Sequence, residues 1–174
     1  MFRNILISVD GSDHSARALA EAIDLAEPAG ARLTIITAIP QCASWVGGPM
    51  ASIPAFPPDE FEREYAAVLE RAVDRVPASI PVTKILTHKP IRAALSRELA
   101  TGKHDLLVMG SRGRGALGAS LMGSVSHYAL NHSPIPVLVV HAHEEERAAA
   151  PSDGRSEPTT RLTGLNPAAS TGPA

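Results

Sequence analysis

Thiols, aromatic rings and excess charge are all scarce in this chain. Its one cysteine, Cys42, excludes an internal disulfide and any metal cluster built on cysteines. Aromatic residues make up 3% of the chain, too few to build stacking platforms for nucleic-acid bases. A formal net charge of −2 gives no electrostatic case for nucleic acid or an anionic membrane as a partner. No apolar run approaches the roughly 20 residues that a membrane-spanning helix requires. Met1-Phe2-Arg3-Asn4 leads directly into an apolar run and lacks the layout of a secretory signal, so a cytoplasmic location is expected.

What is present is enough apolar material for one domain: 174 residues, 44% of them hydrophobic. Arg3 to Val9 carries Ile5, Leu6, Ile7 and Val9 and reads as a buried strand. Asp10-Gly11-Ser12 ends it, and Ser12 or Asp13 is placed to cap the next helix. Ala16, Leu19, Ala20, Ile23 and Ala26 recur at helical spacing along that helix, and Pro28 and Gly30 are its expected stop. Arg32 to Ile39 reads as a second strand, with Leu33, Ile35 and Ile36 inward. Asp59 to Val76 reads as a helix whose inner face is Phe61, Tyr65, Val68, Leu69, Ala72 and Val76. Its interleaved Glu and Arg residues are expected to form a solvated face without acid–base chemistry. Ile80 to Thr87 is a third strand, and Ile91, Ala94, Leu95 and Leu99 mark a third helix.

The most informative stretch is Asp105 to Val140. Leu106 to Met109 is apolar without alternation, as in a strand buried on both faces of a parallel sheet. Gly110, Gly113, Gly115 and Gly118 then fall within nine residues. Gly123-Ser124 opens an amphipathic run through Val125, Ala129 and His132, and Pro134 and Pro136 close it before a last strand, Val137 to Val140. A glycine loop between strand and helix lets backbone N–H groups converge on an anion. The following helix adds unpaired N–H groups and the positive end of its dipole. The dipole alone supplies only about 0.3–1 kcal/mol, so a triphosphate needs several donors acting together. Arg112 and Arg114 are candidates for charge-assisted contacts, and Ser111 and Ser124 for hydroxyl contacts.

Three motifs compete for this loop. The P-loop fails, because Gly113-x-x-x-x-Gly118 is followed by Ala119-Ser120 and the phosphate lysine is missing. Gly113-Arg-Gly115-Ala-Leu-Gly118 matches the dinucleotide fingerprint in letters, but the acidic residue expected about 20 positions on is replaced by the apolar Val137 to Val140. The third pattern is Gly110-x2-Gly113-x9-Gly123-Ser124, preceded by Met109 and followed by Val125 and a Pro-x-Pro-Val-Leu-Val-Val close. It resembles the ATP-binding motif of the universal stress protein family. Ser8-Val9-Asp10-Gly11-Ser12 resembles the same family's first-strand motif, and the likeness runs from Asn4 to about His143.

The resemblance implies an α/β fold: an open five-stranded parallel sheet of strand order 3-2-1-4-5, with helices on both faces, Rossmann-like and akin to the adenine nucleotide alpha hydrolases. That order places Asp10 and Gly110 at one switch-point crevice, where open parallel sheets bind ligands. By position alone, Asp10 is equally a turn aspartate; the resemblance makes it a nucleoside contact. It further implies that Ser8, Val9, Asp10 and the backbone of Ala38 meet adenosine, and that Met109, Gly110, Gly113, Gly123 and Ser124 surround the phosphates. Ser111, Arg112 and Val125 would add contacts. ATP is the implied ligand, with Mg²⁺ bridging its phosphates, and the implied partner is a second copy joined through Pro136 to Val140.

One departure stands out. The family has Gly-x-Pro where this chain has His88-Lys89-Pro90, which leaves the geometry near the ribose open. Pro40 to Pro58, with Trp45 and Phe56, is too long for a plain connector. His141 and His143 share a face but have no evident further ligands, and His127 and His132 are poorly spaced for metal. Glu144 to Ala174 reads as a disordered tail beside a domain of residues 1–143. The expected function is stress signalling through ATP occupancy. A slow ATP hydrolase or phosphotransfer enzyme on the same scaffold, and a nucleotide-free dimeric adaptor, remain the alternatives.

Overall fold

A computed structural model describes residues 1–40, 58–114 and 122–142. The order is β1 (Asn4–Ser8), α1 (Asp13–Ala29), β2 (Arg32–Ala38), α2 (Pro58–Asp74), β3 (Val82–Thr87), α3 (Ile91–Ala100), β4 (Leu106–Gly110), α4 (Ser124–His132) and β5 (Val137–Val140). The strands form one sheet of order β3-β2-β1-β4-β5, with every pairing parallel. This is the α/β architecture that the resemblance implied.

Alternation along the central strands divides the core between two faces. Ile5, Ile7, Leu33, Ile35, Leu106 and Val108 pack with Ala18, Leu19, Ala22 and Ala26 of α1 and Val68, Leu69 and Ala72 of α2. Leu6, Ile36, Leu107 and Met109 pack with Ala94, Leu95 and Leu99 of α3 and Ala129 of α4. Each fully buried Ile or Leu contributes about 1.5–3 kcal/mol of transfer free energy. The middle of the sheet therefore fixes where the strand ends lie, and with them the site.

Several boundaries differ from the sequence expectation. Ser12 alone is the N-cap of α1, accepting from the Ser15 N–H at 3.3 Å, while Asp13 opens the helix. Pro28 does not stop α1 but lies in its last turn. The N–H groups of Gly30 and Ala31 reach back to the Glu27 and Ala26 carbonyls, closing the turn around the proline, with Gly30 left-handed at φ 57°. The buried face of α1 carries Ala18 and Ala22, not Ala16 and Ala20. In an alanine-rich helix adjacent stripes look alike, and sheet packing selects one. β3 starts at Val82 and not Ile80, because the Ile80 N–H bonds the Pro77 carbonyl and Pro81 has no N–H to give a ladder. α2 begins with Pro58, a favoured first helical residue, and ends at Asp74.

The expectations for Cys42, Trp45, Phe56, Gly115, Gly118, His143 and the segment from Glu144 to Ala174 fall outside the described residues. Among the described residues, no helix is long and apolar enough to cross a membrane.

Candidate nucleotide site at the carboxyl ends of β1 and β4

β1 and β4 are neighbours, with Ser8 registered on Met109, so the segments leaving their carboxyl ends meet. A cavity of about 290 Å³ opens there. Of the residues singled out in the sequence, Ser8, Asp10, Met109, Gly110, Arg112, Gly113, Gly123, Ser124 and Val125 line it. Ser15, Ile91 and Ser126 line it as well and were not foreseen. Val9, Ala38 and Ser111 are not among the lining residues. The Val9 N–H donates to the Ile36 carbonyl, and its own carbonyl accepts from Thr37 Oγ1 at 2.9 Å. Ala38 lies at the end of β2, paired with Thr87.

Asp10 is held from two sides. Its Oδ1 accepts from the Ser12 N–H at 3.0 Å and the Ser12 hydroxyl at 2.7 Å. Its Oδ2 accepts from the Arg114 N–H at 2.9 Å. Asp10 is thus an anchor of the glycine loop as well as a cavity wall. A carboxylate has about four acceptor sites, so acceptor capacity remains for a ligand hydroxyl or amine.

Of the glycines bordering the cavity, Gly110 and Gly113 stand where a Cβ would collide, and Gly123 where one would fit tightly. A Cβ on Gly110 would lie 2.7 Å from the backbone carbon of His14. One on Gly113 would lie 2.5 Å from Asp10 Oδ2, and one on Gly123 3.3 Å from the Ser111 carbonyl oxygen. Gly11, in the turn after β1, adopts φ 82°, where L side chains are strained.

Ser111 is fully buried and organises the junction. Its N–H donates to the Val140 carbonyl at 2.7 Å, and its carbonyl accepts from the Gly123 N–H at 2.7 Å. The Ser126 hydroxyl reaches the Gly110 and Ser111 carbonyls at 3.0 and 3.1 Å. The Ser111 hydroxyl faces inward, 3.2 Å from His14 Nδ1, which also accepts the Ala142 N–H at 2.8 Å. A nitrogen that accepts from an amide carries no proton, so the network assigns the Nε2–H tautomer to His14. His14 was missed in the sequence because its role depends on a partner 128 positions away.

The two loop arginines part company. Arg112 lines the cavity, and its Nε is buried without a hydrogen-bond partner among the described residues. A buried donor left unmatched costs about 1–3 kcal/mol, more for a charged group. Arg114 turns to α2, pairing with Glu64 and lying over the Tyr65 ring at 5.4 Å from its centroid. The hydrogen bond to Glu64 raises the guanidinium above its already high pKa. A third arginine, Arg92 of α3, donates to the Ser124 carbonyl at 3.1 Å and sits 5.5 Å over the Tyr128 ring, at the amino end of α4.

His88 is not among the residues lining the cavity; its Nε2 lies 3.8 Å from Glu62 of α2. Lys89 is exposed, and its N–H caps back to Thr87 Oγ1 at 3.2 Å. His132 stacks on Tyr128, with ring centroids 4.3 Å apart. No group of three or more His, Cys, Asp or Glu side chains able to hold a metal ion occurs among the described residues.

Comparison with known sequences finds the model of the Universal stress protein family matching residues 1–141. The chain belongs to the universal stress protein family. A universal stress protein of Thermus aquaticus is 35% identical over 147 residues, covering 80% of this chain and 99% of that protein. Among solved structures, a universal stress protein in complex with cAMP aligns at 26% identity and a TM-score of 0.59, covering 82% of this chain and 99% of the other. A universal stress protein from Archaeoglobus fulgidus in complex with dAMP aligns at a TM-score of 0.59 and 20% identity, over 79% of this chain and 97% of its own. At that identity the second structure speaks for the fold alone.

Proposed function

We propose that this universal stress protein binds ATP at the cavity between β1 and β4, and acts in stress signalling through nucleotide occupancy. The observation that carries the reading is Arg112. Arg112 lines a cavity bounded by glycine backbone and by the amino end of α4. A phosphate would satisfy all three features at once.

Gly110, Gly113, Gly123 and Ser124 then face the phosphates, with Val125 beside them. Asp10 and Ser8 face the nucleoside, while Val9 and Ala38, expected to meet it through their backbone, stand outside the cavity lining. Met109 closes the floor, and Ser111 acts by holding the loop, its hydroxyl being engaged with His14. Mg²⁺ fits as an ion carried by the phosphates, where it would neutralise their charge. The cytoplasm supplies both ATP and Mg²⁺. The assembly is a homodimer joined through Pro136 to Val140, which would also cover the open edge of β5.

The test is direct. Purified protein is heat-denatured and the released small molecules are identified by chromatography and mass, followed by ATP titration with Mg²⁺. Recovered ATP, or a titration that saturates, is the expected result. At a hundredfold excess over Kd, ATP should stabilise the fold by about 2.7 kcal/mol, several degrees in Tm. An empty protein that also fails to titrate would overturn the reading in favour of the nucleotide-free adaptor.

A further inference from the structure

The glycine loop has an anchor outside itself. Arg114 directly follows Gly113 and faces two ways. Its N–H bonds Asp10 Oδ2 at 2.9 Å, while its guanidinium pairs with Glu64 and covers the Tyr65 ring. Tyr65 is 7% exposed and packed into the core, so the ring is a fixed platform. Arg114 is not among the residues lining the cavity, whereas Arg112 is. The two arginines therefore part: one lines the cavity and the other meets α2.

We propose that Arg114 is a positioning residue for the phosphate loop, pinned by Glu64 and Tyr65 of α2. The pin holds the Arg114 N–H on Asp10 and keeps the Gly113 backbone turned toward the cavity. It gives α2, whose charges read in the sequence as a solvated face, a part in ligand affinity. The inference rests on the nucleotide reading above. A contrasting role, with the Arg114 guanidinium bound to phosphate itself, predicts the opposite sign. Glu64 would then compete with the phosphate for the cation, and removing its charge would tighten binding.

The experiment is calorimetric titration of ATP with Mg²⁺ into the full chain, comparing the parent with Glu64→Gln, Arg114→Gln, Arg114→Lys and the Glu64→Gln/Arg114→Gln double variant. Glu64 and Arg114 side chains are 47% and 40% exposed, so these variants are expected to fold, and circular dichroism checks that they do. An exposed ion pair is a modest contact, and Glu64→Gln should weaken ATP binding roughly two- to fivefold. Arg114→Gln should weaken it at least as much, the double variant no further than Arg114→Gln alone, and Arg114→Lys should recover part of the loss. Unchanged or tighter binding by Glu64→Gln, or losses that multiply in the double variant, would overturn the positioning role while leaving ATP binding intact. A parent protein that binds no ATP would instead remove the nucleotide reading and this inference with it.

Discussion

Gly110 and His14 are in backbone contact: a Cβ on Gly110 would stand 2.7 Å from the His14 carbonyl carbon and 2.9 Å from its oxygen. The end of β4 thus packs on the first turn of α1 with no room for even a methyl group. This gives Gly110 a role that does not depend on any ligand. Gly110→Ala is expected to destabilise the fold by about 1–3 kcal/mol, the usual range for overpacking a rigid contact. Urea unfolding measures it, and an unchanged midpoint would show that α1 can retreat from β4 freely.

Gly113 is different, because its near neighbour is the tip of a side chain. A Cβ there would lie 2.5 Å from Asp10 Oδ2, and Asp10 can be displaced where a backbone cannot. Gly113→Val should therefore keep its far-UV circular dichroism yet lose ATP binding, since it breaks the Asp10–Arg114 contact and crowds the cavity. Undiminished affinity would sink the phosphate-loop assignment.

The edge of the sheet offers a test of the proposed homodimer. The Pro136 and Val140 carbonyls accept from the Leu107 and Ser111 N–H groups of β4 and its extension. Backbone groups of alternate residues point the same way in a strand, so those of Val137 and Val139 face the open edge. Val139→Pro removes one outward N–H and keeps the ladder to β4. Sedimentation should show a dimer for the parent and a monomer for the variant; a dimer in both would exclude this edge as the interface.

Ala142 is the last described residue, and its N–H already reaches His14 Nδ1 at 2.8 Å. Truncation after His143 retains that contact and every residue lining the cavity. ATP affinity by calorimetry should be unchanged, and a large loss would assign the removed residues a part in binding.

Much of the architecture was legible because it is written locally. The apolar run Leu106 to Met109, the glycines after it and the small pair Gly123-Ser124 specify strand, loop and helix from neighbours alone. The sheet order came from the family resemblance, and three glycines of the motif indeed border the cavity. Local signals failed where they were degenerate. Alanine at almost every second position of α1 left its buried stripe undecided, and Pro81 shortened a strand that its apolar residues had lengthened.

By itself the sequence determined the strands, the helices, the loop and the family, since periodicity and glycine spacing depend on backbone geometry within a few residues. Only the tertiary structure decided which loop arginine faces the cavity, that Glu64 belongs to Arg114, that His14 belongs to Ser111, and that His88 turns toward Glu62. These partners lie between 26 and 97 positions apart. Sheet register and helix packing bring them together, and a long polar side chain has no local pattern that records which partner it will meet.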